Sequence, residues 1–359
     1  MQAHLETSPR ICLDLEADSY HHYGEKIALL QVGVGKRIYV IDPFAVDLAC
    51  MVPFLRDPRK EKVFHDVDYD GRMLLTSLGI KPEPIFDTMI AARILGKDKV
   101  GLADLLGEYF DIAMDKGLRR ADWSQRPLSA KMLEYAALDV AYLLPLRDRL
   151  AADIERMGRT EWAQEEFYRL VGNLEPMPEK KTSLDRVKGT RDLSPRQLAV
   201  LLKLLEWRDR RAKGMDLPTF KVVGTERLLK IAVKHPRNRR ELDATQALSP
   251  RQIARFGKEI LDAVQKGMKV PQEKLPRLPE RVHQRRDLEA ERILRRFKTA
   301  RDRRAEEVGM DPGFLLPNAS LKALARIKPR DLAAIEDSGL LRKWQFEVMG
   351  KTLLECIRT

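Results

Sequence analysis

The sequence predicts a mixed-sheet α/β domain followed by two all-α helical modules. Apolar runs of strand length alternate with helical patterns through about the first 155 residues. Two proline-punctuated, charge-dense stretches, residues 172–192 and 270–286, interrupt the chain behind them. The rear segments that these stretches delimit repeat one another at a constant offset of 93 residues.

In chain order, ICLDLEA opens as an apolar strand and is followed by the polar loop SYHHYGEK. IALLQVGV and RIYVID read as a hairpin turning at Gly35-Lys36. Residues 44–56 read as helix. KVFH (62–65) is a short strand feeding a helix from about Tyr69 to Leu78, and PIFDT (84–88) is a short strand entering the helix MIAARILG. GLADLLGEYF is helical. LSAKMLEYAALDVAYLLPLRDRLAADI takes Ser129 as its N-cap and runs on as a long helix. Three meandering strands followed by alternating β and α make the sheet mixed.

A chain of 359 residues has room for two or three domains with real cores. Its net charge of +12 is divided unequally, −5 over residues 1–170 and +17 over residues 171–359. An acidic front and a basic rear point to a catalytic or cation-binding unit joined to something that holds a polyanion. Cys12, Cys50 and Cys356 are far apart and lack CxxC spacing, which argues against a disulfide framework or a zinc knuckle. Cys12 reads as a small core residue. MQAHLETSPR lacks a signal-peptide pattern, and no apolar run reaches membrane-spanning length, so the expected location is cytoplasmic.

The rear repeat holds one register throughout. Arg208-Asp209-Arg210-Arg211-Ala212 recurs as Arg301-Asp302-Arg303-Arg304-Ala305, and Leu228, Ala232, Pro236 and Arg237 recur as Leu321, Ala325, Pro329 and Arg330. Gly257, Lys258 and Leu261 recur as Gly350, Lys351 and Leu354. This is a tandem duplication of one helical module. Ser194-Pro195 and Ser249-Pro250 each have the N-cap/N1 form of a helix start.

The chemistry begins with the first strand, where Asp14, Glu16 and Asp18 alternate. Alternate residues share a face, so like charges crowd together unless a cation sits between them. A lone D-x-E is common and is most often an exposed strand end. Two further features change its meaning. FHDVDYDGRMLL places Asp70 in the first turn of a helix directly after a strand. LEYAALDVAYLL places Tyr135 and Asp139 four apart, on one helix face.

With these residues in this order, the chain resembles the DEDD superfamily of 3′–5′ exonucleases in its tyrosine-containing branch, and within it the ribonuclease D family. KVFHDVDYD, PIFDTMIAARILG, GLADLLGEYF, ADWSQRPLSAKMLEYAALDVAYLLPL and ALLQV carry the likeness over nearly all of residues 10–155. The rear modules resemble HRDC domains, small helical nucleic-acid-binding units. The resemblance implies a ribonuclease H-like α/β exonuclease domain over 1–171 and HRDC-like domains over 193–269 and 287–359, with linkers at 172–192 and 270–286. It implies a metal-dependent 3′–5′ exoribonuclease that releases nucleoside 5′-monophosphates from RNA 3′ ends, tRNA precursors among them. Two divalent ions, Mg²⁺ or Mn²⁺, are the implied cofactors. Asp14 would bridge both ions, and Glu16 and Asp139 would complete the shell of the one that activates water. Asp70 would support the second ion, and the Tyr135 hydroxyl would orient the attacking water. Carboxylates are the hard oxygen donors such ions take, and four of them offset the charge of two cations.

The family's first motif commonly reads D-T-E-F, whereas this chain has Asp14-Leu15-Glu16-Ala17. The acids are intact; the contact to the 3′-terminal nucleotide is what the change touches. Tyr20, His21, His22 and Tyr23 are candidates to compensate by stacking on bases or meeting phosphate, set against a plain polar loop. His65 is read equally as a substrate-positioning residue and as a hydrogen-bonded core histidine. Asp18 is expected to be exposed, and Asp66 and Asp68 to cap the helix that carries Asp70. KHPRNRR (234–240), ERILRRFKTARDRR (291–304) and LARIKPR (324–330) are the basic clusters suited to RNA. Two rivals share these features: a 3′–5′ DNA exonuclease, since the same acids serve both polymers, and a non-catalytic RNA-binding scaffold.

Overall fold

The computed structural model describes residues 1–114, 117–118, 120–178, 182–279 and 286–358. The chain divides into two compact units: Met1–Glu16, Ile27–Met177 and Gln284–Thr359 form the first, and Ala17–Lys26 with Pro178–His283 the second. The sheet of the first unit comprises β1 (Arg10–Ala17), β2 (Ile27–Val34), β3 (Arg37–Ile41), β4 (Glu61–Phe64) and β5 (Ile85–Asp87) in the order β3-β2-β1-β4-β5. β2 and β3 run antiparallel and close on Val34 opposite Arg37, with Gly35 supplying the left-handed turn residue at φ 57. β1 pairs parallel with β4, and β4 with β5, so the sheet is mixed as expected. Ile11, Cys12 and Leu13 are buried in the central strand, and the Cys12 thiol is pushed up to about 12 by burial, an inert core group.

Around the sheet lie α1 (Gln2–Thr7), α2 (Val52–Arg56), α3 (Val67–Leu78), α4 (Thr88–Ile94), α5 (Leu102–Phe110), α6 (Ala130–Ala141), α7 (Leu143–Arg156) and α8 (Thr160–Gly172). The helix expected over 44–56 is shorter. The Asp42 carboxylate accepts from the Phe44 amide at 2.9 Å and holds a turn, and the helix proper begins only at Val52. The long helix after Ser129 is two helices. Pro145 lacks an amide proton and its ring clashes with the carbonyl four residues back, that of Ala141, where α6 ends. Ser129 does cap α6, accepting from the Met132 amide.

The helical part of the second unit contains α9 (Pro195–Gly214), α10 (Thr219–Val222), α11 (Thr225–Lys234), α12 (Arg239–Ala244) and α13 (Pro250–Met268). Both Ser-Pro starts form capping boxes, Ser194 with Gln197 and Ser249 with Gln252. Leu201, Leu204, Leu228, Ile231 and Ile260 form its core.

The rear module of the first unit repeats this arrangement as α14 (Leu288–Val308), α15 (Pro312–Leu315), α16 (Asn318–Ile327), α17 (Leu332–Asp337) and α18 (Lys343–Arg358). It is docked on α8. The Glu165 carboxylate accepts from the Lys343 and Trp344 amides at the start of α18. Buried Glu166 accepts from Trp344 Nε1 at 2.7 Å, and Trp162 stacks on Trp344 with ring centroids 5.0 Å apart. Gly96 lets the chain after α4 approach this module: a Cβ there would fall 1.8 Å from the Gly309 carbonyl oxygen.

Candidate active site

Asp14 and Glu16 project from the same face of β1, and the remaining site residues come from α3 and α6. α6 can lie close over β2 because Gly33 has no side chain; a Cβ there would meet Cys12 Sγ at 2.3 Å, with the Val140 carbonyl 3.5 Å away. The approach carries Asp139 to the strand acids. Asp14, Glu16 and Asp139 each present a carboxylate oxygen within 4.8 Å of the others. Tyr135, one turn before Asp139, packs its ring against buried Trp123 at a centroid distance of 5.9 Å, in a cluster with Ala28, Leu29, Met132 and Ala136.

Asp70 lies in the first turn of α3, only 8% exposed, where the charges of Asp14 and Glu16 reach its carboxyl. Asp68 lies in the first turn of α3 as expected, but the expected cap by Asp66 is corrected here. Asp66 is in the left-handed region at φ 64 and makes no side-chain cap; the Val67 amide donates instead to Asp87 Oδ2 at 2.8 Å. Asp87 Oδ1 accepts from Ile90, so this one buried carboxylate ties down the starts of both α3 and α4. Burial pushes it up to about 6 despite those bonds. Asp87 positions the turn that carries Asp70, and the sequence reading missed it. An acid between a short strand and a helix, as in PIFDT, was the available signal.

The acids disturb one another strongly. Burial first, and then the charge of Asp139, pushes the Asp14 carboxyl up to about 8. Burial followed by the charges of Asp14 and Asp139 takes Glu16 to about 9. Asp70 is raised well above the carboxylate range by burial, then by Asp14 and Glu16. Without a cation the cluster therefore holds protons at neutral pH, the mark of a site built for positive charge. Its donors are carboxylate oxygens with no sulfur or imidazole among the clustered three, which suits a hard divalent cation.

Each remaining candidate has a partner of its own. His65 is half-buried, with Nδ1 2.9 Å from the Thr88 hydroxyl. That hydroxyl donates to the Phe64 carbonyl, so Nδ1 carries the proton. Tyr20 and His22 belong to the second unit. His22 Nδ1 lies 2.7 Å from Asp216 Oδ2, and the Tyr20 ring packs against Phe220 at 5.5 Å. Tyr23 donates its hydroxyl to Asp209 at 2.8 Å. Asp18, expected to be exposed, is only 4% exposed, because its carboxylate closes the same loop by accepting from the Lys26 amide.

Known proteins resemble this chain along nearly its whole length. A family described as 3′-5′ exonuclease matches residues 1–155, and one described as HRDC domain matches residues 197–264 and 290–357. Ribonuclease D of Pseudomonas paraeruginosa is 32% identical over 357 residues, spanning 98% of this chain and 93% of that protein. The crystal structure of Escherichia coli RNase D, described as an exoribonuclease involved in structured RNA processing, superposes with a TM-score of 0.72 at 27% identity, covering 99% of this chain and 95% of that one. The catalytic core of RRP6 from Trypanosoma brucei gives a TM-score of 0.65 at 27% identity over 74% of this chain and 76% of that one. Among the described residues no helix is long and apolar enough to cross a membrane.

Proposed function

The chain belongs to the ribonuclease D family of 3′–5′ exoribonucleases, and on that premise we propose that Asp14, Glu16, Asp70, Tyr135 and Asp139 carry the reaction. The observation behind this is the carboxylate cluster of Asp14, Glu16 and Asp139 within 4.8 Å, with buried Asp70, whose carboxyl is raised by burial and then by the charges of Asp14 and Glu16. The four acids would hold two divalent ions, Mg²⁺ or Mn²⁺. When bound, such ions lower the pKa of water and offset charge that develops on phosphate.

The chain's own residues supply position. Asp14 and Glu16 stand on a central strand, and Asp139 on a helix seated against the sheet, so the cluster is held by packed elements rather than by loops. Tyr135 would direct a lone pair of the attacking water toward the phosphorus in line with the departing 3′-oxygen of the penultimate nucleotide, so that the terminal nucleotide keeps the phosphate. A phenol near its usual pKa of about 10 is a poor base at neutral pH, so orientation is its part. Tyr135→Phe is expected to lower kcat by about 10- to 100-fold with KM little changed, read by steady-state kinetics on a defined oligonucleotide.

We read the domains as nuclease 1–171 and HRDC-like 193–269 and 287–359, joined by linkers 172–192 and 270–286. The basic clusters at 234–240, 291–304 and 324–330 would contact the RNA backbone, tRNA precursors being the expected class. A cytoplasmic location fits a chain whose cysteines are all unpaired. His65, Tyr20 and His22 remain proposed substrate contacts, supported by their place in or beside the matched stretches. The test is hydrolysis of 3′- and 5′-labelled RNA and matched DNA. Expected is stepwise release of nucleoside 5′-monophosphates from the RNA 3′ end, abolished by EDTA and restored by Mg²⁺ or Mn²⁺. Internal cuts, or turnover that survives EDTA, would overturn the reading.

A further inference from the structure

β2 reads IALLQVGV, and every residue in it is buried. Gln31 alone in that strand carries hydrogen-bonding groups on its side chain. It is 0% exposed, and among the described residues neither its Nε2 nor its Oε1 has a hydrogen-bond partner. Burying an amide unpaired is unfavourable in a way that burying an apolar chain of the same length is not. A buried group of this kind in a native fold calls for a partner.

Gln31 points to the side of the sheet that α6 covers. Gly33, two residues on, lies against Cys12 and Val140. Val40, which pairs with Gln31 across the β2–β3 ladder, packs against the cluster that holds Met132 and Ala136. Gln31 therefore lies beneath the turn of α6 from Ala136 to Val140, the turn that carries Asp139. The first strand supplies the other neighbour. β1 lies beside β2, and residues 18–26 that join them are too few for a parallel crossover, so the two strands run antiparallel. Cys12 faces Gly33, with its Sγ 3.6 Å from the Gly33 carbonyl oxygen. Two residues along each strand, in opposite directions, Gln31 stands across from Asp14, on the face that Asp14 shares with Glu16.

We propose that Gln31 is a positioning residue for the carboxylate cluster: with a divalent ion bound, its Nε2 donates to the Asp14 carboxylate and fixes the direction in which that carboxylate meets the ion. This rests on the reading of Asp14 as a metal ligand and goes beyond it by naming what holds the ligand. An amide suits the place. It donates to an anion without carrying charge, so the four carboxylates remain free to balance the cations. A lysine here would compete with the ions, and a glutamate would add to the repulsion among the acids.

Gln31→Met keeps the length of the side chain and removes the amide. Mn²⁺ binding to the full chain, followed by calorimetry without RNA, is expected to weaken by about 10- to 100-fold, the usual effect of losing a group that orients a metal ligand. The Mg²⁺ concentration that half-saturates RNA hydrolysis should rise by a similar factor, with kcat at saturating Mg²⁺ within about threefold of wild type. In EDTA the variant should melt about 2–4 °C above wild type, because a buried amide without a partner has given way to a thioether. Weaker metal binding in a firmer fold separates positioning from packing. Gln31→Leu repeats the measurements with a branched side chain in case Met packs poorly. Unchanged Mn²⁺ affinity in a folded variant would overturn the proposal. So would a metal-free Tm that falls with the affinity in both variants, since packing alone then accounts for the loss. Wild type that takes up no Mn²⁺ sinks the metal reading and this inference with it; wild type and Gln31→Met binding Mn²⁺ equally well sink this inference alone.

Discussion

Asp14→Asn is expected to reduce RNA 3′-end hydrolysis by at least about 10³-fold, as is Asp139→Asn, while RNA affinity stays within about twofold. The substitution keeps the shape of the side chain and one oxygen but removes a unit of negative charge. That charge belongs to a cluster whose three carboxylate oxygens stand within 4.8 Å of one another, so no neighbour can take its place as ligand without leaving its own. The loss falls on the reacting centre. On the proposed reading, binding of the polymer would depend instead on the basic clusters of the rear modules, through phosphate contacts. The outcome is read by single-turnover hydrolysis of labelled RNA beside a binding isotherm in EDTA. A variant that loses hydrolysis and affinity together would mean that Asp14 supports the fold or the RNA site rather than the chemistry. A variant retaining a tenth of the wild-type rate would remove Asp14 from the site.

The site acids were legible because they contradict their local context: a central strand should be apolar, and this one carries charges that repel. Asp139 and Tyr135 were legible as a helical pair. Asp87 was legible only as the N-cap of the helix that follows it, because nothing in IFDT announces that it will also hold the Val67 amide of another helix. The break at Tyr142 was written in Pro145, yet the apolar periodicity continues across it, and periodicity alone reads as one helix. The loop after Glu16 was opaque for a different reason. His22 and Tyr23 are held by Asp216 and Asp209, 194 and 186 residues along the chain, and single-sequence patterning carries no information on such pairings. Asp18 closes that loop through a shorter link, accepting from the Lys26 amide 8 residues on, and so is buried rather than exposed.

The raised carboxyls predict an inverse relation between activity and metal-free stability. Asp14 titrates near 8 and Glu16 near 9 in the folded chain, against 3.8 and 4.5 ordinarily. Between about pH 4 and pH 9 the native state therefore holds more protons at these groups than the unfolded chain does. The slope of unfolding free energy with pH follows protons bound unfolded minus protons bound native, which is negative here, so their contribution to stability falls as pH rises through this window. Asp14→Asn removes one titrating group and the repulsion it exerts on Glu16 and Asp70. In EDTA at pH 8 the variant should be more stable than wild type by about 0.5–2 kcal/mol, the usual gain when a strained functional acid is neutralised. That corresponds to roughly 1–8 °C in Tm for a unit of this size. At pH 5.5 the gap should be narrower, and it should close only below about pH 4, where the unfolded carboxyl is protonated as well. Groups common to both chains, such as buried Lys62, held down to about 8 by burial, cancel in the difference. Mn²⁺ should act in the opposite sense, raising wild-type Tm more at pH 8 than at pH 5.5, because the ion displaces protons that the acids no longer hold at high pH, and raising the variant's Tm less. Thermal melts of both proteins at the two pH values, with and without Mn²⁺, decide it: a variant no more stable than wild type in EDTA at pH 8 would show that the cluster carries no such strain.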